Sequence, residues 1–183
     1  NAPNSIKPFL LHDDETRWNS FGHLGYSVTT GNAAFDMLYG QTYFQHLQQN
    51  PQLSARFNDA MMTISSQEDS AIASKLAFSK VVADIGGGKG QLLNTITTNQ
   101  TITQGILFDL PEVVDQANSA DSNFRKIGGS FFDPLPFTAD IFVLKRILHD
   151  WNDEKALVIL KNIRHGMHAN SRLYIVEGIL DFS

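Results

Sequence analysis

Four glycines fall within five residues, directly behind a β-branched run. In Lys80-Val81-Val82-Ala83-Asp84-Ile85-Gly86-Gly87-Gly88-Lys89-Gly90 a strand is stopped by a turn built almost without side chains, and Leu92, Leu93 and Ile96 follow at helical spacing. Strand, glycine turn and helix in that order open a βα unit, and at such a turn the backbone can approach a ligand closely. Three further runs, Gln104-Gly105-Ile106-Leu107-Phe108-Asp109, Ile141-Phe142-Val143-Leu144 and Leu173-Tyr174-Ile175-Val176, are apolar rather than alternating. That is the pattern of strands covered on both faces of a parallel sheet. Helical patterns separate them, most clearly Asp153 to Met167 with Ala156, Ile159, Leu160, Ile163 and Met167 on one stripe. The expected class is α/β, a doubly wound parallel sheet.

The first seventy residues read as helices. Trp18, Phe21 and Leu24 recur at helical spacing, Gly31 and Gly40 punctuate the pattern, and Asn50-Pro51 begins a helix carrying Leu53, Phe57 and Met61 on one face. The polar run from Ser65 to Ser70 is expected to end that helix or link it to the next. After Ser74 the strand and helix alternation begins, so the chain divides into 1–74 and 75–183.

The glycine turn discriminates between ligands by spacing. A dinucleotide fingerprint needs G-x-G-x-x-G, and Gln91 stands where the last glycine would be. This disfavours a nicotinamide-dependent oxidoreductase. A Walker loop needs Gly-Lys-Ser/Thr, and Lys89 is followed by Gly90. Asp84, a carboxylate at the strand end, suits a cationic ligand better than a pyrophosphate. S-adenosylmethionine has a sulfonium and an ammonium and no phosphate. Asp109, 19 residues after Gly90 at the end of the second strand, is placed to accept hydrogen bonds from ribose hydroxyls, although alone it also reads as a helix cap before Pro111.

The 183 residues carry a formal charge of −5 with no block of like charge, so nucleic acid and membrane surfaces gain no electrostatic support as partners. Cysteine is absent, which excludes disulfides, thiolate metal sites and cysteine nucleophiles. No apolar run reaches the roughly 18 residues of a membrane helix and no signal peptide opens the chain, so a cytoplasmic location is expected. The chain opens on Asn1 and stops soon after an apolar run, and we expect a piece of a longer protein. His165 and His168 sit three apart, but the helix dipole accounts for histidines in a last turn, and no metal is expected.

From about Asp13 onward the sequence resembles the S-adenosylmethionine-dependent O-methyltransferases of the caffeic acid and hydroxyindole type, including their bacterial relatives. The resemblance is carried in order by Val81–Gly90, Gly105–Pro111, Gly128-Gly129-Ser130-Phe131-Phe132, Ala139-Asp140, Leu144-Lys145-Arg146-Ile147-Leu148-His149-Asp150-Trp151 and Leu173–Glu177. It implies a Rossmann-like class I methyltransferase sheet, C-terminally incomplete, preceded by a helical connector left from an N-terminal dimerisation and substrate-lid region. It implies S-adenosylmethionine as cofactor and S-adenosylhomocysteine as product. Asp84, Gly86, Gly88 and Gly90 would hold the methionine part, Asp109 and Leu110 the ribose, and Ser130 and Phe131 the adenine region, with Lys145 and Asp150 also against the cofactor. Ser130 stands where the family often has an acid. His149 matches the catalytic base and Glu177 the acid that hydrogen-bonds it. Trp151, Met61 and Phe35 would face the substrate, a small aromatic hydroxyl compound; Met61 equally suits a core. The full-length protein would be a homodimer. A catalytically impaired, cofactor-binding regulatory module is the alternative of a different class.

Overall fold

The computed structural model describes residues 7–78, 80–117 and 124–179. The chain forms two compact units, Asn1–Ser65 and Ser66–Ser183.

The first unit contains five short helices, α1 (Lys7–Leu11), α2 (Glu15–Gly22), α3 (Leu24–Thr30), α4 (Ala34–Tyr39) and α5 (Tyr43–Gln49), and the start of α6 (Pro51–Lys75). Local chemistry sets their ends. The Asp14 carboxylate accepts the Arg17 N–H at 3.1 Å, and Thr42 and Gln45 form a reciprocal capping box. Gly31 and Gly40 close α3 and α4 in the left-handed conformation, as their positions in the sequence suggest. The helical stripe of Trp18, Phe21 and Leu24 forms but is broken at His23, and all three side chains are exposed. Asn50 donates its side-chain amide back to the His46 carbonyl at 2.7 Å, finishing α5.

The second unit is a five-stranded, wholly parallel sheet. Its strands are β1 (Val81–Ile85), β2 (Gln104–Asp109), β3 (Phe124–Gly128), β4 (Ala139–Lys145) and β5 (Met167–Val176), in the order β3-β2-β1-β4-β5. Between them run α7 (Gln91–Asn99), α8 (Pro111–Val114), a 3-10 turn (Leu148–Asp150) and α9 (Asp153–Gly166). Alternate residues face opposite layers. Val82, Leu107 and Val143 pack with Ile72, Phe78, Leu93 and Ile96 on one side. Ile85, Phe108, Phe142 and Leu144 pack with Ile159 and Ile163 of α9 on the other. Each such fully buried side chain is worth about 2 kcal/mol.

Three features differ from the sequence reading. The polar run from Ser65 to Ser70 neither ends nor links a helix; α6 continues to Lys75, because acids in that run have basic partners on the sheet. β3 was not expected, since Arg125 and Lys126 dilute its apolar pattern. β5 begins at Met167, six residues before Leu173, with a register shift against β4 between Ala139 and Ile141.

Candidate active site

The sheet order reverses at β1, whose neighbours are β2 on one side and β4 on the other. In an open α/β sheet this switch point leaves a crevice outside the carboxyl ends of the strands. The residues singled out from the sequence in the second unit collect along that edge. Gly86 follows the Ile85↔Leu144 pair, Asp109 lies opposite Gly128, and Lys145 lies opposite Val176.

Gly86, Gly88 and Gly90 all have positive φ, at 69, 59 and 80°. Gly90 heads α7, and a Cβ there would stand 2.8 Å from Phe124 Cζ. The Gly88 N–H donates to Asp109 Oδ2 at 2.8 Å, while the Leu110 N–H donates to Oδ1 at 2.7 Å. Asp109 thus ties the tip of the glycine turn to the end of β2. Its carboxyl is raised above the usual range by burial, against the pull of those two amides. Nothing stands within 4 Å of where a Gly88 Cβ would be, so the turn faces open space there.

Asp84 and Lys145 project toward the α6 side of the sheet, sharing parity with Val82 and Val143. Asp84 is buried and its Oδ2 has no hydrogen-bond partner among the described residues. Burial, reinforced by Asp69 and Asp109 and opposed by Lys145, pushes its carboxyl up to about 7. The Lys145 ammonium bonds the buried Asp69 carboxylate and lies 3.6 Å from Glu68. Arg146 donates to both oxygens of Glu68, through Nε at 3.1 Å and Nη2 at 2.5 Å. Burial raises the Asp69 carboxyl; the Arg146 hydrogen bond lowers that of Glu68.

Beyond Arg146 the 3-10 turn brings His149 to Glu177. His149 Nδ1 lies 2.5 Å from Glu177 Oε2, and Glu177 Oε1 accepts the N–H groups of Ile147 and Leu148 at 3.0 and 2.8 Å. Burial works to raise the Glu177 carboxyl, but His149 and the two amides outweigh it and hold it below its ordinary value. His149 Nε2 lies 3.4 Å from Asp150, and the His149 side chain is 47% exposed. Nδ1 is therefore anchored by Glu177, while Nε2 lies beside the Asp150 carboxylate on a half-exposed ring. Burial raises the Asp150 carboxyl, opposed by His149.

Aromatic side chains form another wall. Trp151 packs on Phe132 (centroids 4.8 Å apart) and Phe131 (6.0 Å), with the Lys155 ammonium 5.0 Å from the indole centroid. Phe131 also reaches toward Gly86, and Asn162 of α9 donates to the Phe131 carbonyl at 3.0 Å. The Ser130 hydroxyl accepts the Phe132 N–H at 3.2 Å, within its own turn. Phe35 and Met61 belong to the first unit. Phe35 is buried against Tyr39, Tyr43 and His46, and Met61 is half-buried. Glu68, Asp69, Arg146 and Asn162 were not singled out from the sequence. The adjacent acids Glu68-Asp69 and adjacent bases Lys145-Arg146 were a signal for the first three. Among the described residues no group of three His, Asp or Glu is arranged to hold a metal ion.

Residues 21–183 match the model of the O-methyltransferase domain. The chain belongs to the O-methyltransferase domain family. It is 34% identical to the phenazine O-methyltransferase PhzM of Lysobacter antibioticus over 98% of its own length and 55% of that protein. The solved structure of LaPhzM superposes with a TM-score of 0.93 at 33% identity, covering 100% of this chain and 57% of the other. The O-methyltransferase NcsB1 of neocarzinostatin biosynthesis, solved with S-adenosylmethionine and 2-hydroxy-5-methyl naphthoic acid, gives 0.86 at 28% identity over 97% and 57%. The chain spans about half the length of the curated relatives it matches. The five-stranded parallel sheet with helices on both faces thus matches Rossmann-like methyltransferase structures such as that of LaPhzM. No helix among the described residues is long and apolar enough to cross a membrane.

Proposed function

We propose that this chain contributes the cofactor site and the general base of an S-adenosylmethionine-dependent O-methyltransferase acting on a hydroxyl, phenolic in character, of a small aromatic metabolite. The observation that carries the reading is the anchored histidine: His149 held through Nδ1 by a carboxylate that is itself fixed by two backbone amides, on a ring whose Nε2 lies beside Asp150 and which is half exposed. The relatives support the acceptor class, since their names include phenazine and caffeic acid O-methyltransferases.

The residues at the crevice fit the cofactor. A glycine turn bordered by open space, the Asp109 carboxylate at the end of β2 and the aromatic Phe131 beside Gly86 would receive the methionine, ribose and adenine parts. The orphaned, buried Asp84 Oδ2 suits a cationic ligand. When bound, S-adenosylmethionine supplies a methyl group already activated on a sulfonium, so the protein's task is positioning and deprotonation. His149 Nε2 takes the hydroxyl proton of the acceptor as its oxygen attacks. A phenol near pKa 10 and an imidazole near 6.5 differ by about 3.5 units, so complete prior transfer would cost about 5 kcal/mol. Transfer concerted with attack, and an imidazolium stabilised by Glu177, reduce that cost. Trp151 walls the acceptor side. The reading carries with it a cytoplasmic location and a homodimeric full-length protein.

Calorimetric titration of the chain with S-adenosylmethionine, S-adenosylhomocysteine and NAD tests the class. Micromolar binding of both sulfur ligands, lost in Asp109→Ala and absent for NAD, is expected. His149→Ala is expected to abolish methyl transfer to a phenolic acceptor while keeping S-adenosylhomocysteine affinity. A fully active His149→Ala removes the base. Cofactor binding without turnover in the full-length protein favours a regulatory binding module instead.

A further inference from the structure

We propose that Glu68 is a positioning residue for the His149 turn and acts through Arg146, clamping that residue in the left-handed conformation that delivers His149 to Glu177. The inference rests on the function proposed above.

The chain changes direction at Arg146. Up to Lys145 it follows β4, paired in parallel register with β5 through Lys145↔Val176. Arg146 then adopts φ 55°, a region that side chains with a Cβ disfavour and that arginine has no local hydrogen bond to stabilise. The consequence is visible in three successive amides. The Arg146 N–H donates to the Val176 carbonyl at 2.9 Å, and the Ile147 and Leu148 N–H groups converge on one oxygen of Glu177. The other oxygen of Glu177 is thereby aimed at His149 Nδ1. An extended residue 146 would carry Ile147 and Leu148 onward along β4 and leave Glu177 unpinned.

What opposes the relaxation of Arg146 is the fork to Glu68, two hydrogen bonds spanning 78 residues of sequence. A bidentate guanidinium–carboxylate pair fixes orientation as well as distance. The neighbouring pair, Lys145 with Asp69, seats the residue before the turn in the same way. Consecutive acids on α6 thus hold consecutive bases at the end of β4.

A plain docking role for Glu68, fastening α6 to the sheet, makes a different prediction. Glycine adopts φ near 55° without a clamp, so Arg146→Gly removes the need for Glu68 if Glu68 works through the backbone of residue 146. It repairs nothing if Glu68 only docks the helix. The experiment reads the His149 tautomer from long-range ¹H–¹⁵N spectra of the chain at mildly alkaline pH, with S-adenosylhomocysteine affinity measured alongside. In the native chain the His149 proton is expected on Nδ1, facing Glu177. Glu68→Gln is expected to lose most of that population, and Arg146→Lys, which keeps the charge without the fork, to do the same. Arg146→Gly and the double variant Glu68→Gln/Arg146→Gly are expected to match the native tautomer. S-adenosylhomocysteine affinity is expected to stay within about twofold throughout. A native-like tautomer in Glu68→Gln overturns the proposal, as does a double variant that stays as disturbed as Glu68→Gln. Should Glu68→Gln fail to fold, a native-like tautomer in Arg146→Lys overturns it and a disturbed one, with Arg146→Gly native-like, upholds it. A native chain that binds no S-adenosylhomocysteine defeats the functional reading, and the tautomer comparison still decides the clamp.

Discussion

Asp84 is 2% exposed at the mouth of the glycine turn, and one of its oxygens has no partner among the described residues. An ionised carboxylate in that place is costly, and its pKa is displaced from 3.8 to about 7, chiefly by burial. In the unfolded chain the group ionises near pH 4, in the folded chain near pH 7. Between those values the folded form binds the extra proton. The contribution of Asp84 to stability is therefore greatest below about pH 4, falls as pH rises to about 7 and stays low above it. The penalty amounts to a few kcal/mol. Asp84→Asn, which keeps the shape and removes the charge, is expected to melt higher than the native chain at pH 8 and to lose that advantage at pH 4. An equal loss of melting temperature at both values would sink the argument. Gly90 shows the opposite kind of constraint, geometric rather than electrostatic. Its φ of 80° and the 2.8 Å gap to Phe124 Cζ leave no room for a methyl group, so Gly90→Ala is expected to cost ~1–3 kcal/mol in urea denaturation. An unchanged midpoint would mean that the turn adjusts freely.

Helix α6 shows what a local pattern conveys and what it withholds. Asn50-Pro51 marks its start, and an apolar stripe predicts its first turns. Its passage through Ser65–Ser70 depends on Lys145 and Arg146, basic residues more than seventy positions away, and no local rule brings them into view. Its end is equally non-local. The Gln100 side chain donates to the carbonyls of Ala73 and Leu76 at 2.6 and 2.7 Å and accepts the Phe78 N–H at 2.8 Å. Read in sequence, Gln100 is only the middle of an Asn-Gln-Thr sequon. In the fold it satisfies groups that the helix terminus leaves open. Gln100→Ala is expected to destabilise the chain by about 1–3 kcal/mol, because three partners lose their hydrogen bonds at once. Gln100→Glu, which keeps only the acceptor, should fall short of native stability as well. A Gln100→Ala variant with a native unfolding midpoint would show that solvent replaces the side chain at no cost. β3 was illegible for a related reason: among the described residues it pairs with β2 alone, Arg125 is exposed and the Lys126 ammonium reaches the Ala117 carbonyl, so both charges are tolerated and the apolar run that betrays β1, β2 and β4 is missing.

For the molecule as a whole, the order β3-β2-β1-β4-β5 gathers onto one edge segments that are far apart in sequence. The motif order foretold a doubly wound sheet, because strands covered on both faces are apolar throughout. The family resemblance foretold that Glu177 would meet His149, but not that Arg146 would make the turn that brings them together or that Asp109 would tie the glycine turn. His149 and Glu177, 28 residues apart, meet through the turn at Arg146, and Gly88 meets Asp109 across β1 and β2. This assembly gives the proposed cofactor a thermodynamic signature. Gly86–Gly90 follow β1, Asp109 ends β2, Phe131 follows β3, and Lys145 and Asp150 lie at or beyond the end of β4. A ligand held by all of them has no counterpart site in the unfolded chain, so its binding free energy adds to the stability of the fold. At a concentration of S-adenosylhomocysteine about 100 times its dissociation constant the gain is about 2.7 kcal/mol. For a chain of this size that is a rise of several degrees in melting temperature. NAD at the same concentration is expected to produce no rise, for want of the spacing that a pyrophosphate needs at the glycine turn. Asp109→Ala is expected to lose the ligand-dependent rise, because it removes both a ribose acceptor and the tie that holds Gly88. A rise with NAD but none with S-adenosylhomocysteine would assign the crevice to a dinucleotide and overturn the methyltransferase reading at its root.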